Sequence, residues 1–339
     1  MGIKNLFKVL MDKTPNAIEN ISISQIKNKI VGIDTSIILY QYIIALKSTG
    51  KEFVNSNNIS TVHIMGILVK TLSYLKMNII PVYVFDGKPS KLKLNLLNDR
   101  NKVKQNALNK LIELEKNSNY NNDDKIKLLK QTVSISHNQM LEAAEIVELL
   151  GVPYIFASEE ADSQLAYLSK NNLIDYVVSE DMDLLTFGSK NIIKKFGKKN
   201  MCIIHLEKIL KEENITQEQF IDICILLGCD YTETINGIGY KKAWDIIKEY
   251  NNIDKLILNN KKIIESKYKL PENFKYNEAR EYFSNPRHIK ISKKELVLKI
   301  PQLDKLKKLL INKYNFNENN FDNMIRFLKK SNDDIFVDD

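Results

Sequence analysis

Short apolar runs alternate with longer amphipathic segments along the first two thirds of the chain. The runs are rich in β-branched residues and almost continuously apolar, which is typical of strands buried on both faces of a sheet. They lie at residues 30–33, 79–85, 152–156 and 176–178. Between them, residues 35–47, 60–77 and 137–150 have helical periodicity and are long enough for crossover connections. This pattern predicts an α/β fold with a mainly parallel, twisted sheet flanked by helices.

Two further patterns extend this prediction. Residues 192–193 and 202–204 are short apolar runs that predict an additional hairpin, and beyond about residue 215 the periodicity becomes helical. The polar stretch at 116–124 predicts a mobile loop.

Composition excludes several classes of protein. The chain has 339 residues, of which 44% are hydrophobic and 27% charged, so a disordered, collagenous or coiled-coil chain is excluded. No apolar run approaches the roughly 20 residues of a membrane helix. Lys4, Lys8 and Asp12 interrupt any secretory leader, so we expect an intracellular protein. Three cysteines without a CxxC pair and four scattered histidines argue against zinc and disulfides.

The net charge suggests a polyanionic partner. The chain has 50 Lys+Arg against 42 Asp+Glu, a formal charge of +8. Nearly all the positive residues are lysines, which contact phosphate as point charges, whereas bidentate base recognition favours arginine. A nucleic-acid partner would therefore be recognised through shape and backbone. Coding bias towards Lys, Asn and Ile is an equally good explanation of the lysine excess.

Acidic residues follow each predicted strand. They are Asp34, Asp86, Glu160, Asp162, Asp181 and Asp183, and a seventh acid, Asp230, follows an apolar helical segment. Because the carboxyl ends of strands in a doubly wound sheet open onto one crevice, we expect these carboxylates to converge.

Each acid also has an ordinary structural explanation. Asp34 and Asp181 could cap helices, and Asp86-Gly87 could form a simple turn. Together, however, the acids would oppose one another's ionisation, and divalent cations offset that cost. Oxygen ligands without His or Cys favour Mg²⁺ or Mn²⁺, and two ions about 4 Å apart would suit phosphodiester hydrolysis.

Two basic segments are candidates for phosphate contact. Lys93 and Arg100 lie seven residues apart on a predicted helix and could clamp a scissile phosphate. A solvated helix face is the alternative. Gly237, Gly239 and Lys241 precede an apolar helix, where backbone amides can approach phosphate, although a simple interhelical turn has the same composition.

The motifs around these residues resemble those of the flap endonucleases, which belong to the XPG-type family of structure-specific 5′ nucleases. The resemblance runs in order from Met1 to about Lys330. The motifs are Met1-Gly2-Ile3, Val84-Phe85-Asp86-Gly87-Lys88-Pro89, Glu160-Ala161-Asp162, Glu180-Asp181-Met182-Asp183-Leu184-Leu185-Thr186-Phe187-Gly188, and Leu226-Leu227-Gly228-Cys229-Asp230-Tyr231 with Gly237-Ile238-Gly239.

The resemblance implies roles for individual residues. The seven acids would bind two Mg²⁺ ions, which Mn²⁺ could replace, and Lys93 and Arg100 would position and polarise the scissile phosphate. The amino end at Gly2 would lie near the active site and contact DNA. Tyr40 would stack on a nucleobase, unless it is a core tyrosine. Further DNA contacts are expected at Lys47, Lys70, Gly237, Gly239 and Lys241, the last three in a helix–two-turn–helix element that could bind K⁺.

The resemblance also implies an organisation and a partner. We expect a PIN-like nuclease core with a helical arch, divided into an N-terminal nuclease region (1–105), an arch (106–135), an internal nuclease region (136–255), a C-terminal helical region (256–330) and a tail (331–339). The partner would be branched double-stranded DNA with a 5′ single-strand flap, bound by a monomer in the nucleus or at another site of DNA replication.

Two features depart from the family. Asp162 stands where flap enzymes usually have a second Glu, and the residues after it resemble the exonuclease branch. The acidic residues 331–339 lack the usual sliding-clamp peptide, which puts clamp binding in doubt.

Three hypotheses follow. The first is a 5′ flap endonuclease with 5′→3′ exonuclease activity, hydrolysing DNA in replication and repair. The second is a mainly exonucleolytic enzyme of the same family. The third is a non-catalytic protein that binds DNA junctions.

Overall fold

The computed structural model describes residues 2–49, 54, 55, 57–116, 121–259, 270–326 and 328. Its helices and strands follow in chain order: α1 Leu6–Lys13, β1 Ile18–Asn20, β2 Ile30–Asp34, α2 Thr35–Thr49, α3 Val62–Lys76, β3 Ile80–Phe85, α4 Leu94–Lys116, α5 Asn122–Thr132, α6 His137–Leu149, β4 Tyr154–Phe156, α7 Ala161–Lys170, β5 Tyr176–Val178, α8 Asp183–Thr186, β6 Asn191–Lys194, β7 Cys202–His205, α9 Leu206–Glu213, α10 Gln217–Leu227, α11 Ala243–Tyr250, α12 Ile253–Asn259, α13 Tyr276–Ser284, α14 Leu303–Tyr314 and α15 Glu318–Ile325.

The chain folds into two compact units, each assembled from segments that are distant in sequence. The first unit comprises Met1–Ile26, Gly87–Leu96 and Ala157–Lys290, and the second comprises Lys27–Asp86, Leu97–Phe156 and Ile291–Asp339. The predicted regional boundaries at 105, 135, 255 and 330 stay a prediction.

The second unit contains three parallel strands. β2 pairs with β3 and β3 with β4, with Asp34 opposite Val84 and Tyr83 opposite Tyr154. The crossover helices predicted at 35–47, 60–77 and 137–150 are present as α2, α3 and α6. Because β2 and β3 run in parallel, their carboxyl ends bring Asp34 and Asp86 to the same edge.

The first unit contains the other four strands. β5 and β6 are parallel, β6 and β7 form the predicted antiparallel hairpin, and β1 adds to β7. The α/β fold is thus confirmed, with helices flanking a sheet whose pairings are mixed rather than uniformly parallel.

The helix that leads to Asp230 is closed at both ends by sequence-encoded signals. Thr216 and Gln219 form a capping box at the start of α10. Gly228 ends the helix with φ 110°, where a side chain would lie 2.7 Å from the Thr234 methyl group. Glycine is therefore required for the turn that presents Asp230.

The predicted loop at 116–124 is shorter than expected. Lys116 ends α4, and residues 122–124 form the first turn of α5, because the Asn121 side chain accepts a hydrogen bond from the Asp123 amide at 3.0 Å. Residues 117–120 and the tail at 331–339 lie outside the described part of the chain. Within that part, none of the helices combines the length and apolarity that a membrane crossing needs.

Candidate active site

Five of the seven predicted acids lie in the first unit, each at the end or start of an element. Glu160 and Asp162 flank the first residue of α7, and Asp181 and Asp183 lie between β5 and the first turn of α8. Asp230 follows the glycine that ends α10. Strand ends and helix starts therefore place five carboxylates that the sequence separates by up to 70 positions.

Lys93 lies among these acids. Its Nζ is 2.6 Å from Glu160 Oε2 and 3.8 Å from Asp230 Oδ2. Burial alone would lower the pKa of Lys93, but the charge and hydrogen bond of Glu160, with the charges of Asp162 and Asp230, raise it above the ordinary value. The ammonium group therefore remains charged and offsets part of the acids' repulsion.

Asp183 is the most enclosed of the acids, with 2% of its surface exposed. Burial raises its pKa well above the usual range, and the charges of Asp181 and Asp230 raise it further. Its amide donates to Asp181 Oδ1 at 3.0 Å, whereas its own buried Oδ1 accepts no hydrogen bond within the described residues. A buried carboxylate oxygen without a donor is a natural ligand for a cation.

The amino end of the chain reaches the same acids. Gly2 has φ 76°, and a Cβ added there would lie 1.8 Å from Asp181 Oδ1 and 2.6 Å from Asp183 Oδ1. Only glycine lets the backbone approach these carboxylates so closely. The expected proximity of Gly2 to the acids is thus present in the structure.

Two tyrosines that the sequence did not single out contact Glu160. The Tyr231 hydroxyl donates to Glu160 Oε2 at 2.9 Å, and the Tyr282 hydroxyl lies 3.5 Å from Glu160 Oε1. Burial and the charge of Glu160 raise the pKa of both phenols, so both stay protonated and act as donors. Tyr231 is the last residue of the Asp230 motif, but no sequence signal points to Tyr282.

The second unit holds the remaining two acids and their neighbours. Asp34 Oδ1 accepts from the Ile37 amide at 3.3 Å, so it also has the helix-capping role considered as its alternative. Asp86 Oδ2 accepts from the Ser36 hydroxyl at 2.5 Å. Burial raises the pKa of Tyr40, Arg100 lowers it and Asp86 raises it again, which places both charged groups near the phenol.

Lys93 and Arg100 belong to consecutive elements of the chain. Lys93 ends a 3₁₀ turn, Lys91–Lys93, and α4 starts only at Leu94. Arg100 lies on α4 in the second unit. Lys93 therefore lies immediately before the helix that the sequence predicted to carry it, and its Nζ contacts Glu160. That Lys93 and Arg100 clamp one phosphate stays a prediction.

The predicted phosphate-binding turn is exposed. Gly237 has φ 86°, a Cβ at Gly239 would meet nothing within 4 Å, and Lys241 is exposed. Buried Ile235 and Ile238 anchor the turn between α10 and α11. Lys70 is half-buried on α3, and the Lys47 side chain lies outside the described part of the structure.

Known proteins are similar in sequence to this chain over nearly its whole length. Residues 1–107 match the XPG N-terminal domain and residues 151–230 match the XPG I-region. Flap endonuclease 1 of Heterostelium pallidum is 38% identical over 98% of this chain and 86% of its own. The chain belongs to the flap endonuclease family. Flap endonuclease 1 of Plasmodium falciparum is also 38% identical over 98% of this chain, but the match covers only 53% of that protein. The chain thus spans about half the length of several Plasmodium flap endonucleases.

Solved structures share the fold. The catalytic core of Rad2 in complex with DNA substrate has a TM-score of 0.72 at 23% identity, covering 96% of this chain and all of that one. GEN1 in complex with product DNA and Mg²⁺ has a TM-score of 0.60 at 18% identity, covering 91% of this chain and 73% of that one. Similarity at this level shows that the chain shares the fold of these proteins.

The acids of the first unit fit hard divalent cations. The first-unit group contains only carboxylate oxygens, carries unbalanced negative charge, and includes the donor-free Asp183 Oδ1. In the described part of the chain, no three His, Cys, Asp or Glu side chains already form a ready-made metal site. The convergence of all seven acids on one crevice stays a prediction.

Proposed function

We propose that this protein is a structure-specific 5′ flap endonuclease with accompanying 5′→3′ exonuclease activity, acting on DNA in replication and repair. The observation that carries the proposal is the first-unit group of five carboxylates around Lys93, with Gly2 packed against it. A protein that only binds DNA gains nothing from gathering carboxylates where a phosphate backbone would lie, which disfavours the non-catalytic hypothesis.

The seven acids would hold two Mg²⁺ ions, or Mn²⁺ in their place. When bound, such ions make water more acidic and stabilise charge on the phosphodiester. The protein's own part is to hold the ions and orient the phosphate. Lys93 would donate to a non-bridging phosphate oxygen and Arg100 would contact the same phosphodiester, while Tyr40 would stack on the adjoining base.

The substrate would be a branched duplex with a free 5′ single strand. The exposed turn at Gly237, Gly239 and Lys241 would contact the duplex backbone without reading bases, and a K⁺ ion there is part of the proposal. We expect a monomer that works inside the cell, in the nucleus or wherever DNA is replicated. The sliding clamp remains a doubtful partner.

The test uses a labelled double-flap DNA with and without Mg²⁺, and products mapped at nucleotide resolution. The proposal predicts Mg²⁺-dependent cleavage near the base of the 5′ strand. It also predicts that the Asp181→Ala variant binds the junction without cutting it. If the Asp181→Ala variant still cleaved DNA in Mg²⁺, the assignment of the acids as metal ligands would be wrong.

The same assay separates the second hypothesis. Asp162 has a shorter side chain than the Glu usual in flap enzymes, which is consistent with the hypothesis of a mainly exonucleolytic enzyme. A mainly exonucleolytic enzyme would degrade nicked and recessed duplexes faster than it cuts flaps. Binding that needs no metal, with no turnover on any of these substrates, would support the non-catalytic hypothesis.

A further inference from the structure

Glu160 is held by donors on both of its oxygens. Lys93 Nζ and the Tyr231 hydroxyl lie 2.6 Å and 2.9 Å from Oε2, and the Tyr282 hydroxyl lies 3.5 Å from Oε1. A carboxylate has about four acceptor positions, two on each oxygen. The two donors at Oε2 and the one at Oε1 occupy three of them, so one acceptor position remains on Oε1. Tyr282 is thus the donor beside the oxygen that remains able to accept a further partner.

Tyr282 is fixed in place by its ring. The ring centre lies 4.8 Å from that of Tyr231 and 5.7 Å from that of Phe187, within an aromatic cluster completed by Phe283. Aromatic contacts at these distances restrict the side chain to one orientation. The hydroxyl is therefore held beside Glu160, where Glu159 and Ser90 are also hydrogen-bonding neighbours, rather than left free to rotate into solvent.

The helix that carries Tyr282 is anchored as well. Arg280, two residues earlier on α13, makes a bidentate pair with the buried Asp222 of α10, at 2.8 Å and 2.9 Å. Asp222 also accepts from the Ile253 amide at the start of α12, at 2.9 Å. This network ties α13 to the helix that ends beside Asp230.

We propose that Tyr282 is a positioning residue that orients the Glu160 carboxylate for a divalent ion. The inference rests on the proposed function, because the orientation of Glu160 matters only if the acid is a ligand. Partners of this kind fix the direction of a ligand's lone pairs and so strengthen metal binding. Tyr282 acts through Glu160 and does not itself touch the substrate.

The test measures Mn²⁺ binding to the full chain without DNA, from the electron paramagnetic resonance signal of free Mn²⁺. Tyr282→Phe keeps the ring and removes only the hydroxyl. The matched control is Tyr276→Phe on the same helix, whose hydroxyl donates to Asp254 at 2.8 Å. We expect Tyr282→Phe to weaken Mn²⁺ binding by about 3- to 10-fold, the range of one hydrogen bond, and the control to leave it unchanged.

A second readout separates positioning from a merely structural role. The Mg²⁺ concentration for half-maximal single-turnover cleavage should rise by the same factor in Tyr282→Phe, with the rate largely recovered at high Mg²⁺. Affinity for junction DNA in Ca²⁺ should stay within about 2-fold of wild type, because Tyr282 makes no phosphate contact in this account.

Three outcomes would overturn the inference. Unchanged Mn²⁺ affinity in Tyr282→Phe removes it. A loss of Mn²⁺ affinity in Tyr282→Leu but not in Tyr282→Phe also overturns it, because the ring rather than the hydroxyl would then be responsible. A wild-type chain that binds no Mn²⁺ overturns both this inference and the proposed function, whereas the first two results leave the proposed function intact.

Discussion

Lys93 shows how a single residue resolves an electrostatic problem. Five carboxylates in one neighbourhood repel one another, and the Lys93 ammonium lies against two of them, with only 16% of its side chain exposed. The sequence predicted Lys93 as a positively charged residue that would contact phosphate. It could not predict the contact with Glu160, because the two residues lie 67 positions apart and meet only through the packing of distant segments.

Replacing Lys93 should separate chemistry from binding. We predict that Lys93→Ala slows the single-turnover chemical step by about 10²- to 10³-fold, as loss of one preorganised donor does. Junction affinity in Ca²⁺ should change less than about 3-fold, because many backbone contacts share the binding energy. The control is Lys102→Ala, an exposed lysine paired only with Asp99 at 3.2 Å. A larger effect on binding than on rate would make Lys93 a docking residue.

The approach of Gly2 to the acids gives a second residue-scale prediction. Gly2→Ala places a methyl group into the Asp181 carboxylate, so we expect weaker Mn²⁺ binding and slower cleavage. Gly197→Ala is the matched control, because Gly197 has a similar φ of 74° but nothing within 4 Å of the added Cβ. Calorimetric titration with Mn²⁺ compares the two variants. Equal, small effects would show that backbone strain rather than proximity to the acids is responsible.

Individual elements were predicted most reliably where hydrophobic periodicity and a capping residue agree. His137–Leu149 is such a case, since Ser136 and Gln139 form a capping box at its start. The sequence failed where one side chain decides the outcome, as Asn121 does by starting α5 within an apparently loop-like stretch. It also could not reveal Tyr282, because proximity to Glu160 depends on how α13 packs and not on any local pattern.

The Arg280–Asp222 pair ties three helices together and should dominate their stability. Asp222 is 2% exposed, so Asp222→Ala would leave the Arg280 guanidinium without its main partner and the Ile253 amide without its acceptor. We predict a loss of about 3–5 kcal/mol in the free energy of unfolding, measured by urea denaturation. Asp99→Ala, which breaks an exposed pair, should cost less than about 1 kcal/mol. Similar losses in both variants would contradict the account.

A buried histidine between helices predicts a pH dependence of stability. His63 of α3 lies 2.8 Å from Glu142 of α6, and Lys313 of α14 lies 3.2 Å from Glu142. Burial lowers the pKa of His63 below 6.5, despite Glu142. Burial raises the pKa of Glu142, but hydrogen bonds from His63 and Lys313 lower it below 4.5 overall. In both cases the unfolded state binds protons first on acidification, so both groups lower stability as the pH falls.

For His63 the loss begins as the pH falls through 6.5, and for Glu142 as it falls through 4.5. Thermal unfolding between pH 7.5 and pH 5 therefore leaves Glu142 out, and comparison of wild type with His63→Gln separates His63 from His205, whose pKa burial also lowers. We predict a falling melting temperature in wild type and a shallower fall in His63→Gln. An equal slope in both proteins would mean that His63 does not set the dependence.

At the scale of the whole molecule, the two units are interleaved along the chain. Gly87–Leu96 is a short segment of the first unit between two segments of the second, so Asp86 and Lys93 belong to different units although they lie only seven positions apart. The sequence singled out seven acids, because acids following strands are a local signal, and their role in the chemistry stays a prediction. It could not predict this division, which arises from contacts between distant segments.

We predict that the seven acids bind divalent ions as one group. Crystals of the full chain soaked with Mn²⁺ and measured at the manganese absorption edge test it most directly. We predict two anomalous peaks about 4 Å apart, contacted by the group containing Asp181 and Asp183 together with Asp34 or Asp86. Peaks bound by acids of one unit alone, or no peak beside either group, would contradict the claim.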